Sequence, residues 1–154
     1  MAVKTKKIQG RRSVHYNSLD DLLADAEQMA NSNVHTIGNW SLGQILMHLA
    51  ISQNASIDGF GFCFPAPMRL IVRLFMKRKF LSKGIPPGLN APARMTPEET
   101  SIEEGLAALE AAIKRQQLEA RNADHPAFGM LSPEEWDRFH LRHAEMHMSF
   151  VVPD

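Results

Sequence analysis

Three histidines near the C-terminus, His140, His143 and His147 in RFHLRHAEMHMSF, have types and spacings that could hold a metal ion. On a helix at roughly 100° per residue, His143 falls at about −60° and His147 at about −20° from His140. Trp136 and Phe150 fall on the same side, flanked by Phe139 and Met146, while Arg138, Arg142 and Glu145 fall opposite. All three imidazoles therefore point to the apolar, core-facing side. A buried imidazole has two nitrogens to satisfy, and one such residue is usually a hydrogen-bonded core histidine. Three on one stripe are harder to satisfy in that way. His143 and His147, at i and i+4, can offer two nitrogens to one ion from adjacent turns. The core reading stays open on spacing alone.

A third ligand should come from another helix, and His48 in WSLGQILMHLAIS is the candidate. A charged imidazolium in that mostly apolar stretch would be costly, whereas a neutral metal-bound ring would not. HAEMH is not the zinc-protease pattern H-E-x-x-H. Its Glu145 lies about 160° from either neighbouring histidine, so it is expected to face solvent, and a peptidase of that class is not expected. Three imidazoles would leave an ion with open positions, able to act as a Lewis acid on a small-molecule substrate. No general base stands out, so the reaction class stays open between thiol-group transfer and hydrolysis. The alternative is a non-catalytic metal-binding or protein-interaction bundle, in which an ion ties two helices together.

The elements that must position these residues are marked by helix-start signals. Ser18-Leu19-Asp20-Asp21, Ser41-Leu42-Gly43-Gln44, Thr96-Pro97-Glu98-Glu99 and Ser132-Pro133-Glu134-Glu135 each place a hydroxyl cap before acidic or amide side chains. They predict an all-α protein with main helices over 19–30, 42–56, 98–121 and 133–150. No strand-like alternation of useful length is present. The stretch 59–94 is too long for a plain loop. It reads as an insertion with a fifth helix over 67–81, where Arg69, Arg73 and Lys77 recur every four residues and Arg78, Lys79 and Lys83 follow. Those cations could bind the carboxylates of an anionic thiol or an anionic membrane. A solvated face covering one end of the helices is the plainer reading.

The 154-residue length suits one domain, taken as 18–154 behind a basic, loosely docked N-terminal arm over 1–17. Lys plus Arg (17) equals Asp plus Glu (17), so overall charge gives no reason to expect nucleic acid. Cys63 is the only cysteine, which removes internal disulfides and cysteine-based zinc motifs and fits a cytoplasmic protein. It is expected to be buried as a small apolar residue. The basic N-terminus lacks an apolar signal core, and no apolar run of about 18 residues predicts a transmembrane segment. Gln44 is expected to cap, His125 to tie down a turn, and Trp40 and Trp136 to anchor packing. His15 and His35 need no special role.

GNWSLGQILMHLA, HPAFGMLSPEEW and RHAEMHMSF, in this order, resemble the DinB/YfiT-like superfamily of metalloenzymes, within a bacterial branch of uncharacterised domains. The resemblance covers about 16–153. It implies a four-helix bundle with a long crossover between helices two and three. It also implies a metal site from one histidine on helix two and an H-x-x-x-H pair on helix four, which maps onto His48, His143 and His147. Zinc or nickel is the implied metal. A low-molecular-weight thiol is the candidate co-substrate, since relatives include thiol-dependent transferases, and their dimers leave a homodimer open. His140 exceeds the usual triad and reads as a rim residue or as a group hydrogen-bonded to a ligand. The 59–94 insertion has no counterpart in the minimal bundle.

Overall fold

The computed structural model describes residues 2–154 and is predominantly helical. Its elements are α1 (Leu19–Ala30), β1 (Val34–Thr36), α2 (Leu42–Asp58), α3 (Ala66–Phe75), α4 (Lys77–Lys83), α5 (Ile102–Leu118), α6 (Pro133–Met148) and β2 (Val151–Pro153). Single 3-10 turns occupy Thr5–Lys7 and Ala93–Met95.

Capping chemistry sets most helix starts. The Ser18 hydroxyl accepts the Asp21 N–H. Ser41 with Gln44 and Ser132 with Glu135 form reciprocal capping boxes, so Gln44 takes the expected cap role. The third main helix departs from expectation: it begins after Ser101, whose box partner is Glu104, and not after Thr96. The Thr96 hydroxyl instead donates to the Pro92 carbonyl at 3.2 Å, and 96–100 is non-helical, with its Pro97 and Thr100 carbonyls beside the start of α2. The expected single helix over 67–81 is two helices, broken at Met76 (φ −117°, ψ −29°).

α2 and α5 pack closely because both carry glycine at the crossing. A Cβ on Gly43 would lie 2.1 Å from the Thr100 carbonyl oxygen, and one on Gly105 would lie 2.4 Å from that of Gly43. Leu22, Leu46, Leu49, Leu109, Ala112, Ala144 and Met148 fill the core between α1, α2, α5 and α6. A second apolar cluster sits under the 59–94 segment, with Phe60, Phe80, Leu81, Met95, Phe128, Trp136 and Phe139.

Two strands absent from the sequence reading pair antiparallel, with Val34 opposite Pro153, His35 opposite Val152 and Thr36 opposite Val151. At three residues each they are too short to show alternation. They end α6 at Met148 and tie its tail to the α1–α2 connection. The last part of the basic arm is also not loose. Arg12 makes a two-point ion pair with Asp25 at 2.6 and 2.7 Å, Tyr16 is 3% exposed, and the Tyr16 hydroxyl donates to Asp25. Glu145 therefore does not face solvent: it accepts the Tyr16 N–H at 2.9 Å and pairs with Arg142. Cys63 is exposed, not buried.

Candidate metal centre

His48 comes from the middle of α2, and His143 and His147 from adjacent turns of α6. Their ligand atoms all lie within 4.8 Å of one another. The His143 Nε2 sits 3.2 Å from the His48 Nε2 and 3.1 Å from the His147 Nε2. Each ring is fixed from behind. The His48 Nδ1 lies 2.7 Å from the Met95 carbonyl oxygen, which only accepts, so Nδ1–H donates there and Nε2 carries a bare lone pair. Trp40 stacks on His147 (5.4 Å, 13°) and Phe139 on His143 (5.3 Å, 13°).

This arrangement fits a metal ion better than it fits three free imidazoles. A neutral His143 has at most one proton on Nε2, and that proton can point along one of the two N···N contacts, leaving the other without one. An ion answers all three lone pairs together. Two nitrogens about 2.05 Å from a tetrahedral ion would stand about 3.3 Å apart, close to the two spacings observed. Burial drives all three histidines below the ordinary imidazole range. For His143 and His147, the electrostatic influence of neighbouring histidines adds to it. Each ring is thus neutral at pH 7, the form a ligand needs.

A cavity of about 780 Å³ opens onto the triad, which is why His143 and His147 keep some accessible surface despite their depth. Its walls come from α2, α6, the inner side of α3 and the turns before α5 and α6. Arg69, Arg73, Lys77 and Arg78 do not line it. Lys77 instead pairs with Glu135 at 2.9 Å.

His140 does not join the triad, and it is not on a rim. It is 2% exposed, stacks on Trp136 (5.4 Å, 22°), and donates from Nε2 to the Ser56 hydroxyl at 3.0 Å. Ser56 in turn donates to the Gln53 carbonyl, and Gln116 donates to both. The His140 Nδ1 is buried without a partner among the described residues. His125 plays the expected turn role, its Nδ1 accepting the N–H groups of Ala127 and Phe128 at 3.1 Å each. That fixes its proton on Nε2, and burial pushes its pKa down to about 3.

Sequence reasoning brought His48, His143 and His147 together but missed their supports. Trp40 was expected only to anchor packing, and the Met95 carbonyl has no side-chain signature at all. A stripe rule could have flagged Phe139, which precedes His143 by four residues on the same helix.

A search of curated proteins and a search of solved structures each gave no match. A family model described as "Protein of unknown function (DUF1569)" matches residues 8–154. That span includes α1 through β2 and all three candidate ligands, and the chain belongs to this family.

Proposed function

We propose that the protein is a metal-dependent enzyme whose ion is held by His48, His143 and His147. In this reading α1, α2, α5 and α6 form a DinB/YfiT-like four-helix bundle, and the sequence resemblance supports zinc or nickel. The observation that carries the proposal is the large cavity ending on three convergent imidazole nitrogens. A purely structural ion would be expected to be closed off by a fourth protein ligand. Among the described residues, the group with metal-ligand geometry holds only three.

When bound, the ion supplies Lewis acidity for a water or thiol reaction. The chain's own residues do the rest. His48 is held by the Met95 carbonyl in the tautomer that aims Nε2 inward, and Trp40 and Phe139 clamp the other two rings. The apolar walls exclude water from the substrate's body. No Asp or Glu lines the cavity, and the proton on His125 Nε2 makes that ring a donor there. The cavity thus offers a proton donor and no carboxylate base to a thiol-group transfer or a hydrolysis.

Protein purified without an affinity tag should carry about one zinc or nickel per chain, and His143→Ala/His147→Ala should carry none. Equal metal content in the two would end the proposal. Cobalt substitution separates enzyme from structural ion: azide should alter the visible spectrum of an open site. An unchanged spectrum would favour a closed structural ion.

A further inference from the structure

The cavity over the triad has an unusual lining: no Asp, Glu, Lys or Arg contributes to it. Phe60, Phe62, Phe128 and Phe139 form aromatic walls, and Val72 and Met68 of α3 also line it. An ionised group entering such a space would lose its hydration with no counter-charge to replace it. Cations beside lining residues in sequence are occupied or exposed: Arg94 donates to the Phe60 carbonyl and Arg142 to that of Tyr16, Lys77 is engaged by Glu135, and Lys4, Lys6, Arg73 and Arg78 are exposed. We infer that the site takes an uncharged molecule with an extended apolar body and a single polar head placed at the histidines. This rests on the metal reading for the head alone. A cavity of about 780 Å³ accommodates a ligand of ordinary small-molecule size. Thiols that carry several carboxylates fit it poorly.

The test is a hydroxamate series on zinc-loaded protein, followed by calorimetry. The hydroxamate head engages the ion, and the tail samples the cavity. From acetohydroxamate to octanohydroxamate, Kd should fall about fourfold per added methylene until the tail fills the space. A terminal carboxylate on the octyl-length tail should raise Kd by about 100-fold, and Val72→Asp should weaken octanohydroxamate at least tenfold with zinc content unchanged. A flat series, or equal binding of the carboxylated tail, overturns the inference while leaving the metal site standing. Should the protein take up no zinc, the metal reading fails separately. The cavity is then probed with Nile red, a neutral apolar dye: binding weakened by Val72→Asp supports an apolar ligand, and no binding overturns it.

The other side of α3 points to a surface. Leu70, Ile71, Leu74 and Phe75 are 57%, 57%, 66% and 77% exposed, an apolar face without cover among the described residues. Residues 66–83 also carry Arg69, Arg73, Lys77, Arg78, Lys79 and Lys83, with no Asp or Glu. We propose that this face docks on an anionic lipid surface, which complements both its apolar and its basic character. A second copy meeting it about a two-fold axis would set two basic segments against each other. The protein should sediment with phosphatidylcholine vesicles containing phosphatidylglycerol and not with phosphatidylcholine alone. High salt, Leu74→Asp/Phe75→Asp and Arg69→Glu/Arg73→Glu should each reduce that binding at least tenfold. Absence of vesicle binding overturns the proposal, as does a dimer dissolved by Leu74→Asp/Phe75→Asp in a protein that ignores vesicles.

Discussion

Four histidines point inward from α2 and α6, and burial pushes all four below the usual imidazole range. Burial alone therefore does not separate ligand from core residue; the partners do. His140 meets a hydroxyl that already donates elsewhere, and so is satisfied on Nε2 as an ordinary core histidine. His143 meets the nitrogens of two other imidazoles. The helical wheel gives the direction of these side chains but not what stands opposite, which is why His140 read from sequence as a rim residue or as a group hydrogen-bonded to a ligand. His140 and His125 also make a pH prediction. Burial holds each near a pKa of about 3 in the folded protein, against 6.5 ordinarily. Between those values the unfolded chain binds more protons, so stability is complete above about pH 6.5 and falls as pH drops toward 3. Each ring should remove about 1.4 kcal/mol per pH unit across the middle of that window. Urea unfolding at pH 7, 6 and 5 checks the slope, and His140→Gln should make it shallower. A flat profile from pH 7 to pH 5 would contradict the assigned burial effect.

Helix starts were legible because capping is local chemistry: Ser18, Ser41 and Ser132 lie where their own next three residues place them. Thr96 misled because two cap signatures stand five residues apart. The choice between them depends on α2, whose Gly43 packs against the Thr100 and Ser101 carbonyls. The break at Met76 was equally hidden, since α3 and α4 share one apolar-basic pattern and differ in what they cover. The α2–α5 crossing supports a prediction in which two effects oppose. Gly105→Ala improves helix propensity by about 1 kcal/mol. Its methyl would stand 2.4 Å from the Gly43 carbonyl oxygen, on backbone that cannot step aside. Overpacking costs about 1–3 kcal/mol in a tight core, and contact with a rigid carbonyl belongs at the upper end. The net expectation is destabilisation of roughly 2 kcal/mol in denaturant unfolding. A neutral or stabilised variant would show that the helices are not held that close.

At the scale of the whole chain, the ends hold the molecule together in ways that one-dimensional reading could not see. The N-terminal segment crosses α1 and α6, and β2 returns beside β1. The Tyr16–Glu145 contact and the strand pairing join residues far apart in sequence, so no local pattern announces them. Arg12 is central, donating to the Asp25 carboxylate and to the Val151 carbonyl. Asp25 sits below the usual carboxylate range: burial opposes that shift, but hydrogen bonds from Arg12 and Tyr16 outweigh it. Arg12→Ala would leave the largely buried Asp25 with Tyr16 alone, and should cost roughly 2 kcal/mol. Thermal unfolding at neutral pH measures it, and a shift within error of zero would place 1–17 back among loose termini. The family match over 8–154 includes this docked segment.

The proposed enzyme requires an ion held by three imidazoles with room for a substrate. X-ray absorption on the zinc-loaded protein tests this most directly. Three imidazole nitrogens at about 2.0–2.1 Å with one further light ligand that is not imidazole are expected, with a changed spectrum when acetohydroxamate is added. Four imidazoles, a sulfur ligand, or the same spectrum from His143→Ala/His147→Ala would contradict it.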